Sequence, residues 1–193
     1  MTDINEPVIE PLQVERRPRS GLGNRMRRRS DAELLAFAEL LFFAYRDFTR
    51  DADAILKDFG FGRAHHRVLH FVNRHPGLRV ADLLDVLKIT KQSLGRVLKQ
   101  LIGKGYILQQ AGSSDRRERL LYTTEAGRAL AKRLAAPQLV RLAQALAIAG
   151  PGADLMVQRF LQAMINAEEL PKVSSIMSSA SGTADGDGSA EGP

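Results

Sequence analysis

The chain has 193 residues and a net charge of +6, a length and a mixture of charged and apolar residues suited to one substantial soluble domain, or a domain with an oligomerisation arm. It contains no cysteine, which excludes disulfides, thiolate zinc sites and thiol redox sensing. No apolar run approaches the roughly 18 residues of a membrane span, and no apolar h-region with a small-residue cleavage site is visible, so a cytoplasmic location is expected.

Residues 1–30 contain Pro7, Pro11 and Pro18, little apolar periodicity, and the run Arg25, Arg27, Arg28, Arg29. They read as a flexible basic arm, able to follow a minor groove or simply to solubilise the chain. Ser30-Asp31-Ala32-Glu33 then forms a capping box, which opens a helix expected to reach about residue 57. Leu34, Phe37, Leu41, Tyr45 and Phe48 recur at steps of three and four on one stripe, which Phe42 and Phe43 widen. So broad an apolar face needs a partner surface, and 31–60 is read as a dimerisation helix.

A second helix is predicted over 63–73, stopped by the turn signal His75-Pro76-Gly77, and a third over 80–87, burying Leu83, Leu84 and Leu87. After a tight connection at Lys88-Ile89, Thr90 caps a fourth helix to about residue 103, with Gly105 as a left-handed stop. Residues 106–109 and 119–123 alternate like paired strands around the turn residues 111–114. Thr124 opens a helix over 125–149, expected to break or bend near Pro137. Gly150-Pro151-Gly152 separates it from a last helix over 153–169, and 171–193 reads as a low-complexity disordered tail. The order α-α-α-α-β-β-α-α predicts a mainly α fold with a small β-hairpin wing. A winged helix-turn-helix lobe (61–124) would lie between helical dimerisation segments (31–60 and 125–170).

Charge follows this division. Residues 61–120 hold 12 Lys/Arg against 4 Asp/Glu, a net +8, whereas 31–60 carry −4 and 121–193 carry −1. The middle of the chain is thus the expected polyanion footprint. In the fourth helix Leu94, Val97, Leu98, Leu101 and Ile102 share one face, and Gln92, Arg96, Lys99 and Gln100 occupy the other. Arg can fork onto guanine O6 and N7, Gln can pair with adenine, and Lys can serve phosphate or guanine. Thr90, Lys91 and Ser93 complete the candidate major-groove set. In the hairpin, Ser113, Ser114, Asp115, Arg116, Arg117 and Arg119 form the candidate wing contacts. Asp115 and Arg117, two residues apart, are expected to share a strand face so that the carboxylate directs the guanidinium.

The span 32–168 resembles the MarR family of transcriptional regulators. The resemblance rests on Pro76-Gly77, Leu83 and Leu84, the stretch 90–105, the wing signature Asp115-Arg116-Arg117, and Leu120-Leu121-Tyr122-Thr123-Thr124-Glu125-Ala126-Gly127. GRAHHRVLHFV and LKITKQSLGRVLKQL are similar to the PetP-like branch of that family. The resemblance implies a homodimer with interleaved terminal helices, bound to a double-stranded, pseudo-palindromic operator. One departure is Gly95, where many members place Ser or Thr before the recognition arginine. It removes a hydroxyl contact and shifts specificity toward Gln92, Ser93 and Arg96. Members often bind small anionic aromatic effectors beside the dimer helices, and Tyr45, Phe48, Arg63, His65, His66 and Arg67 are the matching pocket residues, although they would equally fill a core.

His66 and His70 have metal-sharing spacing, but without cysteine or a carboxylate in that helix no metal and no cofactor is expected. No Walker loop, metalloprotease helix or cysteine nucleophile is present, so an enzyme is not expected. Two other readings remain open on the residues alone: a sequence-indifferent architectural DNA binder, and a winged-helix protein-interaction subunit.

Overall fold

The computed structural model describes residues 29–113 and 115–181. The elements are α1 (Asp31–Asp58), α2 (Arg63–Arg74), β1 (Leu78–Arg79), α3 (Val80–Leu87), α4 (Lys91–Gly103), β2 (Ile107–Ala111), β3 (Arg119–Thr123), α5 (Glu125–Ala149), α6 (Ala153–Ala163) and α7 (Leu170–Ser181). The architecture is the expected one, mainly α with a small antiparallel wing. No described helix is long and apolar enough to cross a membrane.

The chain divides into two units, 1–38 and 39–193. In the first, the capping box forms as predicted. Ser30 N–H donates to Glu33 Oε2 at 2.7 Å, and Glu33 N–H donates to Ser30 Oγ at 3.3 Å. The Ser30 backbone N–H first, and then the Ser30 hydroxyl, which donates to Glu33 Oε2 at 3.1 Å, hold the Glu33 carboxyl below its usual range. Leu34, Leu35 and Phe37 are exposed there.

The second unit is built around one apolar cluster. Leu56, Val68, Leu69, Leu83, Leu94 and Leu101 belong to it, with Ile107 and Leu121 from the sheet and Leu130 and Leu134 from α5. Periodicity explains the helical members: Leu94, Val97, Leu98 and Leu101 are the buried positions of α4, and its polar positions face outward. The sheet order is β1-β3-β2, with Ile107 opposite Thr123 and Ala111 opposite Arg119. The starts of α4 and α5 are capped by hydroxyls: Thr90 Oγ1 accepts from Ser93 N–H at 3.1 Å, and Thr124 Oγ1 from Gly127 N–H at 2.9 Å. Gly127 is required by proximity, since a Cβ there would stand 2.0 Å from the Tyr106 carbonyl oxygen.

Four local expectations are corrected. The tail begins as a helix, α7, rather than as disordered chain from residue 171. Its Ser-rich sequence is a weak helix former on its own, but Lys172 pairs with Asp85 of α3 and Lys88 Nζ stands 2.7 Å from Glu169. The last predicted helix ends at Ala163, not 169. β1 was not expected: two residues cannot display alternation, and they become a strand because Leu78 and Arg79 pair with Leu121 and Leu120 of β3. α5 continues through Pro137 as one helix, and the adjacent buried Gln138 donates to the Phe48 carbonyl of α1 at 3.2 Å.

Large apolar side chains remain exposed elsewhere in this unit. They include Leu40, Phe42 and Phe43 of α1, Val140 and Ile148 of α5, and Met156 and Phe160 of α6.

Candidate nucleic-acid interface

The outer face of α4 presents Lys91, Gln92, Ser93, Arg96 and Lys99 to solvent. No acidic residue lies in its first turn, so the backbone N–H groups and the positive end of the helix dipole are unopposed there. The Thr90 hydroxyl is occupied, accepting from Ser93 N–H while donating to Ser93 Oγ at 2.9 Å. Gly95 lies on the exposed side, and a Cβ there would meet nothing within 4 Å.

Gln100 does not stand with the others. Its Oε1 pairs with Nε2 of His65 in α2. Since His65 Nδ1 accepts from Gly62 N–H at 3.1 Å, the ring proton belongs on Nε2, which donates to Gln100. This contact, with the Phe61 ring stacked 4.6 Å from His65, fastens α4 to the start of α2. Gln100 and His65 are therefore positioning residues, 35 positions apart in sequence, a separation that no local pattern reveals.

The wing turn is organised by Asp115, in a manner different from the expected one. Its Oδ1 accepts from the backbone N–H of Arg117 at 2.8 Å, and its carbonyl accepts from Glu118 N–H at 3.0 Å. Asp115 and Arg117 lie in the turn rather than on a strand, so their side chains do not share a face, and the carboxylate directs backbone instead of a guanidinium. Arg119 donates from Nη1 to the Arg116 carbonyl at 2.9 Å and so braces the turn. Arg116 and Arg117 are exposed and enter no ion pair among the described residues, and Ser113 is exposed beside them. Ser114 lies outside the described residues.

Arg79 was not singled out by sequence. It donates to both Asp82 oxygens, at 2.7 and 2.9 Å, and to Glu118 Oε1 at 3.0 Å. These bonds raise its pKa further, Asp82 contributing most. One guanidinium thereby ties the first turn of α3 to the foot of the wing.

Of the arm arginines, Arg25, Arg27 and Arg28 lie outside the described residues, and Arg29 stands 5.2 Å from the Phe37 ring centroid. Five of the six expected pocket residues, Tyr45, Phe48, Arg63, His66 and Arg67, line a cavity of about 520 Å³, and His65 does not. Arg63 is not available there as an unpaired cation. It makes a fork to Asp53, Nη2 to Oδ2 being 2.7 Å, so the cavity's other arginine, Arg67, carries the less compensated charge. Burial lowers the His66 pKa, opposed by Asp53. His66 and His70 rings are 6.5 Å apart, and no group of three metal-ligating side chains occurs among the described residues.

A three-helix lobe with a capped, outward-facing fourth helix and a basic hairpin beside it defines a winged helix-turn-helix protein. The model of the MarR family matches residues 59–118. The HTH-type transcriptional regulator PetP of Rhodobacter capsulatus is 47% identical over 137 residues, 71% of this chain and 82% of the relative. The chain belongs to the MarR family of winged helix-turn-helix regulators, on its PetP-like branch, and is a DNA-binding transcriptional regulator rather than an enzyme. Solved structures share the fold. S. aureus MepR in a DNA-binding conformation superposes with a TM-score of 0.58 at 19% identity, covering 66% of this chain and 95% of MepR. A MarR regulator from Methanosarcina mazei gives 0.52 at 23%, covering 66% and 98%.

Proposed function

We propose that this regulator works in the cytoplasm as a homodimer that reads a pseudo-palindromic operator, with α4 in the major groove and the wing in the adjacent minor groove. The observation that carries this reading is the joint exposure of Gln92, Arg96 and Lys99 on α4 and of Arg116 and Arg117 on the wing turn. Arg96 and Gln92 have the donors for base edges, Lys99 and Lys91 suit phosphate, and wing arginines suit a narrow, electronegative minor groove. The exposed apolar faces of α1, α5 and α6 are the surfaces that a second copy would cover. Two-fold symmetry then calls for half-sites about 10–10.5 bp apart. The 520 Å³ cavity beside α1, α2 and α5, with Arg67 and aromatic walls, is proposed to take a small anionic aromatic effector.

The test compares operator with random duplex at fixed salt. Arg96→Ala is expected to lose about 1–3 kcal/mol of discrimination, and Lys99→Ala to weaken both duplexes alike while lowering the salt slope by about one. An unchanged operator-to-random ratio in Arg96→Ala removes that residue from base readout. A wild-type ratio near one identifies an architectural binder, and no mobility shift at low salt a protein-interaction subunit.

A further inference from the structure

The chain after α6 returns to its own helix-turn-helix. Glu169 meets Lys88, which caps α3 in a left-handed conformation at φ 50°, and Lys172 meets Asp85. Between α7, α3 and the second half of α2 these pairs border a cavity of about 650 Å³, within the roughly 300–1,000 Å³ of small-molecule sites. Phe71, Val86, Val173 and Ile176 make it mainly apolar. Of its three long cations, Lys88 and Lys172 are matched by carboxylates, whereas Arg74 enters no ion pair among the described residues. Burial first, and Arg74 after it, lowers the pKa of the adjacent His75, so the imidazole adds no second charge at neutral pH.

We propose that this cavity is a binding site for an amphipathic carboxylate, its anion on the Arg74 guanidinium and its apolar body between Phe71 and α7. It is separate from the cavity beside α1 and α5, with which it shares only the His70 and Phe71 wall. Because α7 is tied to Asp85 and Lys88, occupancy bears on the turn that leads into α4.

The full-length protein is titrated calorimetrically with octanoate, an amphipathic carboxylate without the aromatic ring proposed for the other cavity's ligand, and with its neutral counterpart 1-octanol. The carboxylate is expected to bind about tenfold or more tightly than the alcohol, since a charge-assisted pair is worth at least that factor. Arg74→Gln should bring the ratio near one, Arg74→Lys should restore part of it, and Val173→Trp should block both ligands by filling the cavity. Arg67→Gln, in the other cavity, should leave the ratio unchanged. The site is overturned if Arg74→Gln keeps the wild-type preference, or if Arg67→Gln abolishes it. Thermal melts confirm that each variant is folded. A second arm, which alone rests on the operator reading, measures operator affinity with saturating octanoate. A change in wild type that Val173→Trp lacks is expected, and no change overturns the coupling to α4.

Discussion

The winged lobe and the helices that flank it dispose of their apolar residues in opposite ways. In the lobe, Val68, Leu83, Leu101 and Leu121 are wholly buried. In the flanking helices, Phe42, Ile148 and Met156 stand 72%, 88% and 71% exposed. Both regions have amphipathic sequences, so amphipathicity does not separate them. The difference is topological. Between residues 63 and 134 the chain folds α2, α3, α4, the sheet and the start of α5 around one another, so each apolar face meets another from the same chain. The far ends of α1 and α5, and α6, present apolar faces that nothing covers among the described residues. The lobe's core is thus closed by contacts within this chain, Ala52 and Leu56 at the end of α1 included, and the flanking faces match the proposed second copy.

The largest expected effect comes from charging the flanking faces. Phe42→Asp with Ile148→Asp should convert dimer to monomer in sedimentation and weaken operator binding by at least about a hundredfold, since each large buried side chain contributes about 1.5–3 kcal/mol. A double variant that still sediments as a dimer would move the interface elsewhere. Within the lobe the effect should fall on folding instead: Leu83→Ala should lower unfolding free energy by about 2–5 kcal/mol in urea titration. Ile148→Ala in a Phe42→Asp background, where the proposed interface is already disrupted, should change it by no more than about 0.5 kcal/mol.

A smaller effect follows from His66. Its folded pKa lies below the ordinary value of about 6.5, so the unfolded chain takes up a proton that the folded chain resists. Stability contributed by the neutral ring is complete above that value and declines as pH falls below it, until the folded ring also protonates. His66→Asn should therefore flatten the urea midpoint between pH 7 and 5, and an equally steep profile would assign the acid sensitivity to other groups. The smallest change is expected at Gly95. Alanine there meets no neighbour and should stabilise α4 by about 1 kcal/mol, read as a rise in melting temperature.

Much of the helical framework was legible because its signals are local. The Ser30–Glu33 box, the Thr90 and Thr124 caps, and the Leu94–Leu101 stripe each involve residues within one or two turns. α7 was hidden for the converse reason: LPKVSSIMSSAS has little intrinsic helical preference, and its contacts are to Asp85 and Lys88, more than eighty residues earlier. β1 was invisible because a two-residue strand exists only through β3. Asp115 misled because spacing of two implies a shared face only on a strand, and residues 115–117 form a turn. At the interface, Arg96, Lys99 and the wing arginines were readable from helical phase and turn chemistry. Gln100, in phase with them, was not separable until α2 was placed beside α4.

The arginines show where that boundary falls. Local order is enough to say which elements form and which face of α4 is polar, because caps, periodicity and turn residues act over a few positions. Which cations remain available to a ligand is a property of the assembled chain. Arg63 is engaged by Asp53, and Arg79 by Asp82 and Glu118, whereas Arg96, Arg116 and Arg117 have no such carboxylate among the described residues. Compensation of a charge depends on groups brought within a few ångströms by packing, and their separation along the chain, up to 39 residues for Arg79 and Glu118, carries no record of it.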